Sequence, residues 1–245
     1  MQNIATKTVR EIAVESPATT RVFEEYKIDY CCHGNTLFDE ACRNAGARPD
    51  VVEGKIDDLL GVDDRGRVSL AALNLTELTD HILDRHHVYT KQEMEQLTPL
   101  MEKVARKHGE HYPYLNELKG VFQTVCDDLE PHMMKEETVL FPYIKMMEED
   151  FYSNTFGSPP PFGTVLNPVR MMRMEHDEVG SLLAKMRLLT NDYELPDDAC
   201  PSFMALYSRL EVLERDLHQH IHLENNVLFP RAVDLEQKTC PMAVK

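Results

Sequence analysis

The sequence predicts an all-α protein: a four-helix bundle preceded by a small helical domain. Three observations carry that prediction. No segment shows convincing strand alternation. From about residue 70 onward, apolar residues recur at helical spacing through long stretches. And one helical hairpin is used twice. His132-Met-Met-Lys-Glu136-Glu-Thr-Val139-Leu140-Phe141-Pro142 and His220-Ile-His-Leu-Glu224-Asn-Asn-Val227-Leu228-Phe229-Pro230 both read H-x-x-x-E-x-x-V-L-F-P, at an offset of 88 residues. A second pair of histidines, His87 and His176, lies 89 apart, upstream of His132 by 45 and of His220 by 44.

Residues 1–60 read as the small domain. Val9, Ile12 and Ala13 fit one helix face. Ser16-Pro17 opens a second helix, since proline is tolerated in a first turn, and Val22, Phe23 and Tyr26 give it an apolar stripe. The run Asp29-Tyr30-Cys31-Cys32-His33-Gly34-Asn35 interrupts it. Thr36 is positioned to cap a third helix, and Arg48-Pro49-Asp50 turns into a short helix through Leu59. Gly61 to Arg67, with little to bury, is the expected linker. The bundle then spans 70–240. Asn74-x-x-Glu77 has the form of a capping box, followed by Leu75, Leu78, Ile82, Tyr89, Leu97, Met101 and Val104. A second helix is expected over 113–147, a loop over the Pro/Gly/Ser-rich 150–167, a third helix over 168–191 and a fourth over 201–236. Pro99, Pro131 and Pro142 fall inside these helices and are expected to kink or end them.

With 42 acidic and 26 basic residues, the formal charge is −16. Such a chain is poorly suited to nucleic acid or an anionic membrane, and better suited to cations or a basic partner. The apolar runs fall short of the roughly 20 residues that span a bilayer, and the charged N-terminus lacks a signal-peptide core. The six cysteines, at 31, 32, 42, 126, 200 and 240, form no regular framework. A cytoplasmic protein with reduced thiols is therefore expected.

Residues four apart share a helix face, so His132 with Glu136, and His220 with Glu224, can reach one centre. Side chains facing inward from all four helices of a bundle converge. Four imidazoles (His87, His132, His176, His220) and two carboxylates (Glu136, Glu224) then meet. Imidazole suits iron, zinc and copper, and carboxylate suits harder ions. The mixed set favours two non-haem irons bridged by carboxylate. His218 and His222 also form an i, i+4 pair. They lie about 200° round the helix from His220 and align with Glu130 and Met134, so a surface or interhelical role is assigned to them. His108 and His111 close the bundle's first helix, while His81 and His86 have no partner in the repeat. Glu175 and Asp128 are candidates to orient the ligand imidazoles. Met133, Met134, Met171, Met172 and Met174 read as core filler.

Cys31 and Cys32 are adjacent. Consecutive α-carbons lie about 3.8 Å apart, below the roughly 4.4–6.8 Å usual for disulfides. A structural staple is disfavoured, and reactive thiols in redox or transfer, transient oxidation or soft-metal binding fit better. Lys27 and His33 stand close enough in sequence to lower a thiol pKa.

Ile28-Asp29-Tyr30-Cys31-Cys32-His33-Gly34, followed by the two H-x-x-x-E segments, resembles the bacterial repair-of-iron-centres family along nearly the whole chain. The resemblance implies a hemerythrin-like bundle, a di-iron centre, and repair of iron–sulfur clusters damaged by nitric oxide or peroxide. Carried over by position, its ligands are His87, His132, Glu136, His176, His220 and Glu224. The loop at 150–167 is extended relative to the family. Oxygen-carrying hemerythrins differ: their third helix has His-x-x-x-His, where this chain has Gly180 four residues after His176.

Three functions fit these residues. One is donation of iron to damaged or empty clusters, with a cluster scaffold or damaged iron–sulfur protein as partner. The second is reduction of nitric oxide or peroxide at the di-iron centre. The third is binding of a diatomic gas. The paired thiols favour the first two.

Overall fold

The structure, a computed structural model, describes residues 4–61, 70–155 and 160–239. Most of the expected linker at 61–67, and Cys240, lie outside the described residues.

The N-terminal helices are α1 (Val9–Glu15), α2 (Thr20–Glu25), α3 (Phe38–Asn44) and α4 (Pro49–Gly61). Thr8 and Glu11 form a capping box on α1, and a 3-10 turn over Pro17–Thr19 leads into α2. Val9, Ile12, Ala13, Val22 and Phe23 are buried, as their spacing predicts, in a core that also takes Ile28, Tyr30, Phe38, Val52 and Ile56. Thr36 does not cap α3. Leu37 holds that position with extended backbone, because residues 36–38 pair with 7–9: Val9 N–H donates to Thr36 O at 3.0 Å, and Phe38 N–H to Lys7 O at 2.9 Å.

The bundle's first helix is α5 (Leu75–Ile82), a π turn (Leu83–His87) and α6 (Val88–His108). The expected Asn74–Glu77 capping box is present. Its second is α7 (Tyr114–Lys135), a π turn (Glu136–Leu140) and α8 (Phe141–Ser153). Its third is α9 (Leu166–Leu189). Its fourth is α10 (Pro201–Leu223), a π turn (Glu224–Leu228) and α11 (Phe229–Thr239). Helix α8 runs further than expected, to a left-handed Asn154 (φ 52°), and α9 begins at Leu166, inside the expected loop.

Of the three prolines expected to kink or end their helices, Pro142 coincides with a break in its helix. Helices α6 and α7 continue through Pro99 and Pro131. Pro142 comes just after a π turn in which Phe141 N–H reaches back five residues to Glu136 O. The turn absorbs one extra residue, so the proline falls in the first turn of a restarted helix, where its missing N–H costs little.

Helix α7 packs on α9, and α6 packs on α7 and α10. Apolar side chains form two separate layers. One holds Leu97, Met101, Leu115, Phe122, Leu183, Phe203 and Leu213. The other holds Leu78, Ile82, Phe141, Ile144, Met172, Leu228 and Phe229. Fully burying each such side chain contributes roughly 1.5–3 kcal/mol, which offsets the cost of a polar layer between them. Met133 and Met172 belong to these layers, but Met134, Met171 and Met174 are exposed, contrary to the reading of all five as core. Two buried carboxylates complete the second layer. Glu148 accepts from the first N–H groups of α5, Leu75 and Thr76, at 2.8 Å each. Glu236 accepts from Val165 N–H at 2.7 Å and Tyr143 O–H at 3.1 Å.

Candidate metal centre

The six ligand candidates come from all four bundle helices, two each from the second and fourth, and stand between the two apolar layers. His87 ends the first π turn. Glu136 and Glu224 each begin one, one helical turn after His132 and His220, and His176 lies in mid α9. In each π turn the closing N–H reaches back five residues: Val88 to Leu83 O, Phe141 to Glu136 O, Phe229 to Glu224 O. π turns of this kind recur at functional sites. The sequence reading missed them, although the two that begin at Glu136 and Glu224 carry the shared V-L-F-P tail.

All six candidates are buried, none more than 2% exposed. They form two four-residue groups that share both glutamates: His87, Glu136, His220 and Glu224, and His132, Glu136, His176 and Glu224. In the first, His87 Nε2 lies 3.0 Å from His220 Nε2 and 3.5 Å from Glu136 Oε2, and His220 Nε2 lies 2.9 Å from Glu224 Oε1. In the second, His132 Nε2 lies 3.1 Å from His176 Nε2 and 3.4 Å from Glu136 Oε2, and His176 Nε2 lies 3.1 Å from Glu224 Oε2. Glu224 thus presents one oxygen to each group. The histidines pair across the duplicated hairpins, first helix with fourth and second with third.

The residues fit a cation. His87 Nδ1 donates to Glu137 Oε1 at 2.8 Å, and His132 Nδ1 donates to Glu175 Oε2 at 2.7 Å. His176 Nδ1 donates to Asn225 Oδ1 at 3.1 Å. Such bonds fix the tautomer and turn each Nε2 lone pair inward. Both oxygens of Glu136 are buried without a hydrogen-bond partner. Facing lone pairs and bare carboxylates are costly in a dry interior, and a positive ion between them removes the cost. Protons do the same in part. Burial pushes the His87 pKa down, but Glu136 and Glu224 outweigh it and hold it up at about 10. His176, likewise opposed by burial, is raised to about 9, chiefly by Glu224.

Of the two expected orienting carboxylates, Glu175 is in place and also pairs with Lys135. Asp128 is exposed and has no bond to His132, because it lies on the outward side of α7. Glu137 and Asn225 do the orienting that the sequence did not reveal. His86 was also missed. It is buried, its Nδ1 is 3.1 Å from Asp216 Oδ2, and its ring lies parallel to His220 at 5.6 Å between centroids. His218 and His222 face the N-terminal helices, and neither belongs to the six-residue cluster. His218 Nδ1 is 2.9 Å from Glu24 Oε1, and the buried His222 packs edge-on to Tyr30 at 5.3 Å between centroids. His108 Nε2 lies 3.2 Å from Cys200 Sγ.

The thiol turn docks directly on α9. Asp29 Oδ1 accepts from the N–H groups of Cys31 and Cys32 at 3.1 and 2.9 Å, and the two sulfurs lie 3.8 Å apart as free thiols. Cys32 Sγ is 3.8 Å from the backbone carbonyl of His176. Gly180, one turn on, lies under it: a Cβ there would make ordinary van der Waals contact with the Cys32 sulfur at 3.5 Å. Asn226 Nδ2 donates to Tyr30 O at 3.0 Å and Cys31 O at 3.3 Å. The thiols differ. The Cys31 S–H donates to the Cys32 sulfur, and this bond, with burial, pushes Cys31 well above the usual thiol range. The same bond lowers Cys32 against the effect of burial. Lys27 and His33 do not supply that lowering: they pair with Asp192 and Asp29.

Among the described residues no helix is long and apolar enough to cross a membrane. Residues 78–232 match the model of the hemerythrin HHE cation binding domain, a domain that binds metal cations. Residues 5–60 match ScdA_N, described as a domain of unknown function. The chain is similar to the "probable iron-sulfur cluster repair protein" of Haemophilus influenzae, 34% identical over 95% of this chain and 99% of the relative. It is similar also to iron-sulfur cluster repair protein ScdA of Staphylococcus haemolyticus, 32% identical over 90% and 95%. Iron-sulfur cluster repair protein YtfE of Dickeya chrysanthemi is 33% identical over 91% and 95%. Matched by that domain model and by these relatives along nearly its whole length, the chain belongs to the hemerythrin HHE cation binding family, in the group named iron–sulfur cluster repair proteins.

Proposed function

We propose that this protein repairs damaged iron–sulfur clusters by donating iron held at the six-residue cluster. The observation that carries the reading is the pair of buried four-residue groups sharing Glu136 and Glu224, next to a free thiol pair. In this reading His87 and His220 would hold one ion and His132 and His176 the other, with Glu136 and Glu224 available to both. Iron bound there would supply one-electron chemistry. The protein's own groups do the rest. Glu137, Glu175 and Asn225 keep the Nε2 atoms inward, and the apolar layers exclude water. His87 and His176 take up protons as iron leaves, since losing a metal and gaining protons are linked. Cys31 and Cys32, outside the cluster and against His176, serve in redox or transfer. Residues 1–60 and 70–240 act as two units, one carrying the thiols and one the metal.

The test is anaerobic. Iron-loaded protein is mixed with an apo cluster scaffold, a sulfide source and a competing chelator. Cluster formation is expected to outpace that with the same amount of free ferrous iron. If the protein instead turns over nitric oxide catalytically while keeping its iron, the donor reading fails and the reductase reading replaces it.

A further inference from the structure

A cavity of about 370 Å³ lies between the N-terminal helices and the bundle, within the roughly 300–1,000 Å³ of small-molecule sites. Cys31 and Cys32 line it, with Asp177, Ala184, Lys27 and Arg187 among the residues around them. The obvious occupant, a soft metal held by Asp29 and the thiols, conflicts with the hydrogen bonding. Asp29 Oδ1 already accepts three backbone N–H groups, from Cys31, Cys32 and His33. Its Oδ2 is taken by His33 Nδ1 at 2.6 Å. That carboxylate builds the turn and has little left for an ion.

Other features indicate a covalent partner. Cys32 is the more exposed thiol, with the buried Cys31 behind it. Asp177 is exposed on the same wall, and its carboxylate has no hydrogen-bond or ion-pair partner among the described residues. The cations across the cavity, Lys27 and Arg187, are neutralised by Asp192 and Glu214. Asp177 is thus the carboxylate beside Cys32 without a direct ion pair among the described residues; Arg173 and His33 act on it only through space.

We propose that this cavity binds the disulfide of a small amine-bearing thiol, its ammonium on Asp177 and its sulfur against Cys32, and that Cys32 is S-thiolated there. The Cys32 sulfur attacks one sulfur of R–S–S–R. The Cys32–S–R bond forms, the R–S bond to the leaving sulfur breaks, and the departing thiolate takes up the proton lost by Cys32. One protein thiol is oxidised and one small thiol is released. The exchange stops at the mixed disulfide, because closing the ring to Cys31 would join sulfurs on α-carbons only about 3.8 Å apart. Excess reduced thiol reverses it. The site does not depend on which metal the bundle holds.

Three probes test it on the metal-loaded full chain at one ionic strength: cystamine, neutral hydroxyethyl disulfide, and dianionic dithiodiglycolate. Adduct formation at each cysteine is followed by peptide mass spectrometry. The expected order at Cys32 is cystamine, then the neutral probe, then the dianion, with about tenfold between the extremes. Cys200, in the same chain and the same overall field, is expected to show a much smaller spread. Asp177→Asn should flatten the order at Cys32. Ala184→Phe, which fills the cavity from α9, should slow all three probes at Cys32 and leave Cys200 unchanged. A flat order at Cys32, an equal spread at Cys200, or indifference to both substitutions overturns the proposal.

Discussion

The thiol of Cys32 lies against the backbone carbonyl of His176, at 3.8 Å, so the thiol turn of the N-terminal helices touches the backbone of a ligand candidate. Asn225 ties the two more closely. Its Oδ1 accepts from His176 Nδ1 at 3.1 Å, while its Nδ2 donates to Cys31 O at 3.4 Å. Asn225→Ala removes both bonds. Metal affinity should fall by roughly 10–100-fold, the usual cost of losing an orienting partner, and alkylation of Cys32 should become faster. Metal titration and iodoacetamide trapping check the two effects together. Loss of one without the other would mean that Asn225 does not couple them.

Proton release on loading follows from the raised imidazoles. His87 is held at about 10 and His176 at about 9, so at pH 8 both carry protons that a metal must displace. Loading in weak buffer at pH 8 should release about two protons per chain, and affinity should rise with pH toward 10. The sign for the metal-free fold is the opposite. The folded pKa values lie above the unfolded one, about 6.5. That stabilisation is complete below pH 6.5 and is lost as pH rises through 9 and 10. Calorimetry of the chelated protein between pH 6 and 10 should show a falling melting temperature.

Among the cysteines of the described residues, Cys200 should be the most readily alkylated outside the thiol turn. The Phe203 N–H at the start of α10, then His108, lower its pKa to about 7, whereas burial raises Cys42 to about 11 and Cys126 to about 12. Its alkylation rate should rise with a midpoint near pH 7 and shift upward in His108→Ala. An unchanged midpoint in that variant would rule out the His108 contribution.

Much of the cluster was legible because metal ligation demands a strict pattern. His-x-x-x-Glu fixes two groups on one helix face, and a second copy with matched upstream histidines is hard to produce by chance. What remained hidden depends on which helix faces which. Glu137 and Asn225 orient imidazoles from other helices, and Asp216 reaches His86 across the bundle. Asp128 has the right spacing and the wrong neighbour. The π turns were hidden for a different reason. One extra residue per turn leaves the composition unchanged, and the trace it leaves is the V-L-F-P tail, whose Pro142 and Pro230 each fall in the first turn of a restarted helix. Met134, Met171 and Met174 read as core because methionine is apolar, yet each lies on the outer side of its helix.

Gly34 is fixed by close packing. A Cβ there would meet Tyr30 O at 2.8 Å and the Arg10 Cβ at 3.0 Å. Both are held, since Asn226 grips Tyr30 O and Arg10 donates to Asn226 O at 3.1 Å. Gly34→Ala should cost about 1–3 kcal/mol, as overpacking does, and should loosen the thiol turn from the bundle. Chemical denaturation measures the first effect. Protease susceptibility at residues 28–36 measures the second.

The pairing of histidines across the hairpins gives the sharpest test of the centre. If each duplicated hairpin held its own metal, removing His87 and His132 together would spare the other ion. The geometry assigns His87 to the group with His220, and His132 to the group with His176. His87→Ala with His220→Ala should therefore lose one metal and keep about one per chain. His87→Ala with His132→Ala takes a ligand from both groups and should leave close to none, while His218→Ala should keep the full load. Metal counting on anaerobically purified protein, with circular dichroism to show that each variant is folded, decides between the schemes. Equal losses in the two double variants would sink the cross-hairpin assignment, because only the partition between groups distinguishes them.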